Sequence, residues 1–214
     1  MSRAVDHRHM RRAIALARSR LGSTWPNPVV GCVIARGGEV LAEAATGPGG
    51  ADSAAQRLHA EEQALIAAGA AAKGAAAYVT LEPCATRSSA RPSCTDRLIA
   101  AGVARVVVAC RDPSPLAAGQ GLERLRSAAI VVDTDVLADE AGDLYAGYRR
   151  RLATGKPLVE AAEDGIGFDA PFNPLSGESL VQALQRFGEI GYTRLWVERN
   201  GVLELMLQEQ GLLN

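Results

Sequence analysis

Residues 59–84 read HAEEQALIAAGAAAKGAAAYVTLEPC, and Cys94 follows ten positions after the final cysteine of this stretch. The composition and apolar spacing predict a helix over 59–68, a buried strand over 77–81 and another helix over 94–101. His59, Cys84 and Cys94 therefore stand at or beside the ends of these elements. The order helix, strand, helix in this stretch indicates an α/β fold.

His59, Cys84 and Cys94 offer one imidazole and two thiolates, which are ligands that zinc prefers. Three protein ligands leave the fourth position of a tetrahedral zinc to water, and zinc lowers the pKa of that water from about 15.7 towards about 7. Glu61 is not a ligand, and its carboxylate can carry protons between the water, a ring nitrogen and a leaving amine. We therefore predict His59, Cys84 and Cys94 as metal ligands and Glu61 as the catalytic residue.

Simpler interpretations exist for each residue taken singly. Free cysteines are commonly small buried hydrophobic residues, and His59 could be an ordinary residue at the start of a helix. All four residues in the right order favour the zinc site over these alternatives. Cys32 and Cys110 lie inside apolar runs and are interpreted as core strand residues, whereas His7 and His9 lie among arginines and are interpreted as solvated surface.

The overall composition limits the partners that we expect. The chain has 214 residues, 48% of them hydrophobic, and a formal net charge of -1, so no global attraction to nucleic acid or membranes is expected. No apolar run approaches the roughly 20 residues of a membrane-spanning helix. Residues 1–20 lack the pattern of a signal peptide, and four cysteines in such a chain are expected to be reduced. We therefore expect a cytoplasmic protein that binds a small molecule.

Strand and helix patterns alternate along most of the chain, which predicts a three-layer α/β/α sandwich. Strands are predicted at 29–36, 39–46, 77–81, 103–110 and 130–132. Helices are predicted at 5–21, 59–68, 94–101, 122–128 and 136–152. Together they define a first domain over residues 1–152.

The remaining residues form two further regions. Residues 153–178 are rich in Gly, Pro, Asp and Asn and are interpreted as a linker or loosely packed loop. Residues 179–214 predict a helix, a strand at 194–198 and a last helix. This small α/β piece is too short to hold a core alone, so we expect it to pack on the first domain or on a second subunit.

Several strings resemble the deaminase domain of the bifunctional riboflavin-biosynthesis family RibD, within the cytidine deaminase-like superfamily. They are PNPVVGCVI at 26–34, HAE at 59–61, AYVTLEPC at 77–84, DPSP at 112–115 and GQGL at 119–122. The resemblance covers roughly residues 5–150 in the correct order. The close Cys-x-x-Cys pair of the tRNA-editing deaminases is absent from this chain.

The resemblance implies a cytidine deaminase-like fold, bound Zn²⁺ and hydrolytic deamination of the diaminohydroxy-phosphoribosylamino-pyrimidine intermediate of riboflavin biosynthesis, with release of ammonia. It assigns zinc to His59, Cys84 and Cys94, proton transfer to Glu61, and a hydrogen bond with the substrate to Asn27. For Asn27, a plain turn residue beside proline is the alternative.

Residues 84–94, which we call the 84–94 loop, depart from the family pattern. The loop reads CATRSSARPSC, one residue longer than usual, and Thr86 replaces the histidine of the family loop. Because this loop helps to hold the substrate in the family, its change leaves the identity of the ring open. Arg87 and Arg91 could bind a substrate phosphate, or they could be solvated loop arginines.

The C-terminal residues also depart from the family. The string LWVERNG at 195–201 resembles the end of an NADPH-dependent reductase domain, where Val-Glu-Gly-Gly is usual. Arg199 and Asn200 fill the glycine positions, where side chains would obstruct a dinucleotide phosphate. We therefore interpret 179–214 as a truncated reductase-like remnant and expect no NADPH binding.

Three hypotheses follow for function. The first is a zinc deaminase of riboflavin biosynthesis, and the second is a deaminase of another amino-pyrimidine, purine or pterin-like ring. The third is a zinc-binding pseudoenzyme or scaffold, which retention of Glu61 argues against. A homodimer or higher homo-oligomer is expected in each case.

Overall fold

A computed structural model of the protein describes residues 2–50, 57–87, 91–114, 117 and 119–213. The chain divides into two compact units, which are treated separately below. The first unit comprises Met1–Ser19, Val29–Gly47 and Ala55–Asp143. The second unit comprises Arg20–Pro28, Pro48–Ala54 and Leu144–Asn214.

The first unit is built on a five-stranded mixed sheet with the order β2-β1-β3-β4-β5. β1 runs antiparallel to β2 and β3, whereas β3, β4 and β5 are parallel to one another. The strands are β1 (Gly31–Arg36), β2 (Glu39–Ala45), β3 (Ala76–Leu81), β4 (Arg105–Cys110) and β5 (Val131–Asp133). The helices are α1 (Arg3–Arg18), α2 (Ala60–Ala68), α3 (Cys94–Ala101), α4 (Gln120–Ser127) and α5 (Ala138–Gly142).

Alternation along the strands separates two helical layers. One set of strand residues packs with α2, α3 and α4 in a buried apolar cluster that includes Cys32, Val79 and Val108. Successive strand residues point to opposite faces, so Tyr78 faces α1 on the other side, where it contacts His9. Both faces of the central strands are therefore covered, and the predicted α/β/α sandwich is confirmed.

The predicted elements of the first unit agree closely with the structure. The bounds of α3 are those predicted, and Cys32 and Cys110 are buried strand residues as expected. His9 was wrongly predicted to be solvated, because it is 1% exposed, its Nε2 donates a hydrogen bond to Gly37 O, 2.9 Å away, and its ring packs on Tyr78. Arg8, Arg11 and Arg12 are exposed, whereas His9 lies with Met10 on the buried face of α1.

The helix predicted over 136–152 is interrupted. The structure has α5, then a 3-10 turn at Asp143–Tyr145, and then α6 (Ala146–Thr154). Gly142 is the last residue of α5, and Asp143 follows it with a right-handed helical backbone. The boundary between the two units falls in this interruption, between Asp143 and Leu144.

The second unit contains a parallel three-stranded sheet with the order β6-β8-β7. Its remaining elements are β6 (Leu158–Ala162), β7 (Ala170–Pro171), α7 (Leu180–Ile190), β8 (Arg194–Glu198) and α8 (Val202–Glu209). Val159, Phe172, Leu184 and Leu195 belong to its own buried apolar cluster. Across the described part of the chain, every helix is too short or too polar to traverse a bilayer.

The structure differs from the prediction of a linker or loose loop over 153–178. β6 and β7 both lie in this region and pair with β8, and Phe172 is 1% exposed. β6 has five residues and β7 has two, and the frequent Gly, Pro, Asp and Asn residues around them indicated a loop. Their pairing with a strand more than twenty residues later in the chain decides that they are strands.

A buried polar network ties α1 to the sheet. Tyr78 Oη donates to Asp6 Oδ1 at 2.8 Å, and Arg105 donates to both Asp6 oxygens at 2.7 and 3.1 Å. Arg105 Nε also donates to Asp133 Oδ2 at 2.6 Å. Burial alone would raise the pKa of Asp6, but the hydrogen bonds from Arg105 and Tyr78 outweigh it and hold that pKa below its usual value.

Removing the Asp6 carboxylate is expected to destabilise the protein. Asp6→Ala leaves Tyr78 Oη and one side of Arg105 without their acceptor, which should cost about 1.5–3 kcal/mol of unfolding free energy. Urea unfolding measures the loss. The matched control is Glu43→Ala, which breaks the more exposed pair with Arg12 and should cost less than about 1 kcal/mol. Equal losses in the two variants would contradict the role of Asp6.

Because of the same network, part of the unfolding free energy depends on pH in the acidic range. Because the folded pKa of Asp6 lies below its unfolded value near 3.8, its contribution is complete above that value. It is lost as the pH falls through the folded pKa. The variant Asp6→Ala should therefore differ from the wild type by less at pH 2 than at pH 7.

Candidate metal centre

Three elements of the first unit bring His59, Cys84 and Cys94 together. His59 immediately precedes α2 with an extended backbone, Cys84 follows the end of β3, and Cys94 is the first residue of α3. Their ligand atoms all lie within 4.8 Å of one another. Each ligand therefore comes from the end of an element that the core packing holds in place.

The spacing of these atoms suits a tetrahedral ion. His59 Nδ1 lies 3.2 Å from Cys94 Sγ and 3.8 Å from Cys84 Sγ. Zinc–sulfur bonds of about 2.3 Å and zinc–nitrogen bonds of about 2.0–2.1 Å place ligand atoms roughly 3.5–3.8 Å apart at tetrahedral angles. The donor set and its spacing therefore fit zinc, with one coordination position left for a non-protein ligand.

The two thiols of the cluster are linked to each other. A hydrogen bond with the Cys94 thiol lowers the pKa of Cys84 to about 4, and the same bond, together with burial, raises the pKa of Cys94. The backbone nitrogen of Cys94 also donates to Cys84 Sγ at 3.3 Å. Cys84 is thus readily present as a thiolate, the form in which cysteine binds metals.

Glu61 lies in the first turn of α2, two residues after His59. Its side chain is buried, with the residue 3% exposed, and it hydrogen-bonds with the Cys94 side chain. Burial raises the pKa of Glu61, and the His59 charge partly opposes that rise. A carboxyl group is therefore held against the ligand cluster, in the place where a proton carrier would be needed.

A second carboxylate, Glu62, occupies the next position of α2 and has different partners. It accepts hydrogen bonds from the side chains of Arg87 and Arg91 in the 84–94 loop and forms an ion pair with Arg97 of α3. Ser88, Ser89 and Ala90 of this loop lie outside the described residues. The loop reaches the helix that carries Glu61 through these arginines, a contact that the sequence did not reveal.

Glu82, two residues before Cys84, was also missed in the sequence. It is 3% exposed, and its Oε1 accepts a hydrogen bond from Gly119 N at 2.8 Å. Gly121 packs so closely on Pro83 that a Cβ there would meet the Pro83 carbonyl oxygen at 2.4 Å. The start of α4 therefore contacts the residues that directly precede Cys84. In the sequence, the signal for this contact was a charged residue between a strand and Pro83.

Asn27 belongs to the second unit. Its backbone nitrogen donates to Thr24 O at 3.2 Å, and Thr24 Oγ1 donates to Asn27 O at 3.1 Å. The peptide bond between Trp25 and Pro26 in the same turn is cis. These contacts define the backbone of a tight turn, and substrate binding by Asn27 stays a prediction.

The family model that matches this chain describes the cytidine and deoxycytidylate deaminase zinc-binding region and covers residues 3–110. The matched region contains all four residues predicted for the metal centre. It ends at the last residue of β4.

Similar proteins are known from bacteria and plants. Riboflavin biosynthesis protein RibD of Escherichia coli (strain K12) is 45% identical over 174 residues, which are 81% of this chain and 45% of that protein. The chloroplastic riboflavin biosynthesis protein PYRD of Zea mays is 44% identical over 154 residues, 72% of this chain and 38% of that protein. The chain thus spans less than half the length of these relatives.

Solved structures show the same fold. RibD of Acinetobacter baumannii, form 1, has a TM-score of 0.67 at 40% identity. The match covers 82% of this chain and 45% of the Acinetobacter chain. A second structure is a diaminohydroxyphosphoribosylaminopyrimidine deaminase/5-amino-6-(5-phosphoribosylamino)uracil reductase from Thermotoga maritima. It has a TM-score of 0.66 at 32% identity, and the match covers 82% of this chain and 46% of the Thermotoga chain. With its ligand cluster, its fold and these similarities, the chain belongs to the zinc-binding cytidine and deoxycytidylate deaminase family, and its relatives there are of the RibD type.

Proposed function

We propose that the protein is a zinc-dependent deaminase that removes an amino group from the diaminohydroxyphosphoribosylaminopyrimidine of riboflavin biosynthesis and releases ammonia. The convergence of three ligand atoms beside the buried carboxyl of Glu61 carries this proposal. The substrate is inferred from the similarity to the RibD proteins, of which this chain represents less than half.

His59, Cys84 and Cys94 would hold the zinc. When bound, zinc would supply a Lewis acid that makes water nucleophilic at neutral pH. Cys94 is buried and Cys84 is half-buried. Among the residues that the structure describes, no fourth protein ligand joins these three, so the site suits catalysis.

Glu61 would move the protons of the reaction. A Glu61 carboxylate oxygen takes a proton from the attacking water and delivers it to the ring nitrogen beside the amino group. It then takes the second proton of the added hydroxyl group and passes it to the leaving amine, so that water and the aminated ring become ammonia and the ring carbonyl. Burial of Glu61 favours such a role, since its protons are then exchanged with the substrate and not with solvent.

Substrate contacts are proposed for Asn27, Arg87 and Arg91. The Arg91 side chain is 34% exposed and could reach a phosphate while bonded to Glu62. The Arg87 side chain is 6% exposed and donates to Glu62 Oε2 at 2.9 Å and to the Arg57 carbonyl at 3.1 Å. Arg91 is therefore better placed than Arg87 for a ligand that arrives from solvent.

A deaminase of another amino-substituted ring is the second candidate function. The arginines of the 84–94 loop support it, since two of them are engaged with Glu62 in an arrangement built from residues that depart from the family loop. A loop held by these arginines would give the substrate pocket a shape different from that of the family. The chemistry at Glu61 and the ligand cluster would be the same for either ring.

Ammonia release distinguishes these functions. The zinc-loaded protein is incubated with the riboflavin-pathway pyrimidine and with a panel of amino-pyrimidines, purines and pterins. Turnover of the pathway pyrimidine supports the first function, and turnover of another ring alone supports the second. Zinc binding without ammonia from any ring would leave a pseudoenzyme or scaffold and refute both.

We further propose that residues 179–214 are a truncated reductase-like remnant that binds no NADPH. Arg199 and Asn200 follow β8, and Arg199 donates to the Ala161 carbonyl at 3.0 Å. Side chains at these positions would occupy the space that glycines leave for a dinucleotide phosphate. Titration with NADPH, followed by its fluorescence, should show no saturable change, and tight saturable binding would contradict the proposal.

We also propose a cytoplasmic homo-oligomer. All four cysteines are free, as expected for a reducing compartment. Light scattering of the purified protein would measure its mass, and a monomer at micromolar concentration would contradict the oligomer.

A further inference from the structure

We propose that Glu62 is a positioning residue, whose buried carboxylate holds Arg87 and Arg91 of the 84–94 loop and Arg97 of α3 in place for substrate binding. The attachment of these arginines to Glu62 is inferred from their contacts alone. Its consequence for the substrate rests on the proposed function.

The carboxylate of Glu62 is shared by three guanidinium groups. Arg87 Nη1 donates to Glu62 Oε2 at 2.9 Å, while Arg97 Nη2 lies 2.7 Å from Oε1, which also accepts a hydrogen bond from Arg91. The Glu62 side chain is only 1% exposed. Both oxygens are therefore used, and solvent does not compete for them.

The positions of the three arginines connect this carboxylate to the metal centre. Arg87 comes three residues after Cys84, Arg91 three residues before Cys94, and Arg97 three residues after Cys94. Glu62 itself directly follows Glu61 in α2. A single carboxylate thus joins the catalytic helix, the loop and α3, which are the parts of the chain that surround the predicted site.

The charges show why the loop depends on Glu62. Three guanidinium groups and one carboxylate leave a formal excess of two positive charges. Without the carboxylate, three positively charged groups would face one another. Arg87, with its side chain 6% exposed, would be a buried charge that has lost its carboxylate partner. Moving Arg87 and Arg91 outward into water is the less costly outcome.

Limited proteolysis of the zinc-loaded protein tests this attachment without any assay of activity. Trypsin cuts after Arg87 only when that residue leaves its buried position. The variant Glu62→Gln keeps the size of the side chain and should be cut between residues 87 and 88 at least about tenfold faster than the wild type, since cleavage follows the population of the open form. The matched control is Glu43→Gln, which loses an ion pair with Arg12 in the same unit and should be cut at the wild-type rate.

A second variant keeps the test decisive if Glu62→Gln does not fold. Glu62→Asp retains the charge on a side chain shorter by one methylene group, and should be cut faster than the wild type. Circular dichroism and zinc content establish that each variant is folded and loaded. Wild-type cleavage rates in the folded variants would overturn the proposal.

The Michaelis constant separates positioning from a simple charge effect. Glu62→Gln makes the surroundings of the loop more positive by one charge, so a purely electrostatic role predicts a lower KM for a phosphorylated ring. Positioning predicts a KM at least about fivefold higher, with kcat changed far less. An unchanged or lower KM in an active enzyme would overturn the role in substrate binding. If the wild type releases no ammonia from any ring, the proposed function fails, whereas proteolysis still decides whether Glu62 holds the loop.

Discussion

Glu61→Gln is expected to lower kcat for deamination by about 10²–10⁴-fold while zinc stays bound. The amide has the size of the carboxyl group and can still form hydrogen bonds, but it cannot accept a proton from water or pass one to the ring. His59, Cys84 and Cys94 are unchanged, so the metal centre should remain assembled. A coupled assay for ammonia measures kcat, and plasma mass spectrometry measures zinc.

The matched control for Glu61 is Glu123→Gln on α4. Glu123 is exposed and pairs with Arg126 on the same helix, so its loss should leave kcat and zinc content as in the wild type. A Glu61→Gln variant that keeps more than about a tenth of wild-type kcat would remove Glu61 from the proton path. A variant that lost zinc would instead show that Glu61 supports the ligands.

Cys94→Ala is expected to abolish both zinc binding and turnover. The substitution removes one of three protein ligands, and the remaining His59 and Cys84 form an incomplete site. Ligand binding to the folded state stabilises it by about 4.1 kcal/mol at a free concentration 1,000 times Kd. Zinc should therefore raise the melting temperature of the apo wild type and leave that of Cys94→Ala unchanged.

Cys110→Ala provides the matched control for the loss of a thiol. Cys110 is 4% exposed at the end of β4, and its Sγ lies 3.5 Å from Ala138 O, outside the ligand cluster. This variant should bind zinc and release ammonia like the wild type, with only the small loss of stability that a cavity brings. Zinc-dependent stabilisation of Cys94→Ala equal to that of Cys110→Ala would contradict the assignment of Cys94 as a ligand.

Local sequence patterns were sufficient to predict most of the helices and strands of the first unit. α3 could be predicted from Cys94 to Ala101 because Ser93 and Asp96 form a capping box at its start and Gly102 ends it with a left-handed backbone. The central strands could be predicted because they are covered on both faces and are therefore continuously apolar. The information for these elements lies within a few residues of each one.

Elements that depend on distant partners were not recognised. β6 and β7 are strands because they pair with β8, and their own residues carry too little pattern to show it. His9 was taken for a surface residue because its neighbours in the sequence are arginines, whereas Tyr78 and Gly37 surround it in the fold. In both cases, residues far away in the chain determine the environment.

The sequence by itself was enough to predict the fold class and a candidate metal centre, because the imidazole, the two thiols and the carboxyl group are specific residue types placed at the ends of recognisable elements. Only the tertiary structure decided how the 84–94 loop is held. Three arginines converge on Glu62 from the loop and α3, and no spacing along the chain shows which buried carboxylate neutralises them. Charge pairing acts through space, so its partners become known only when the chain has folded.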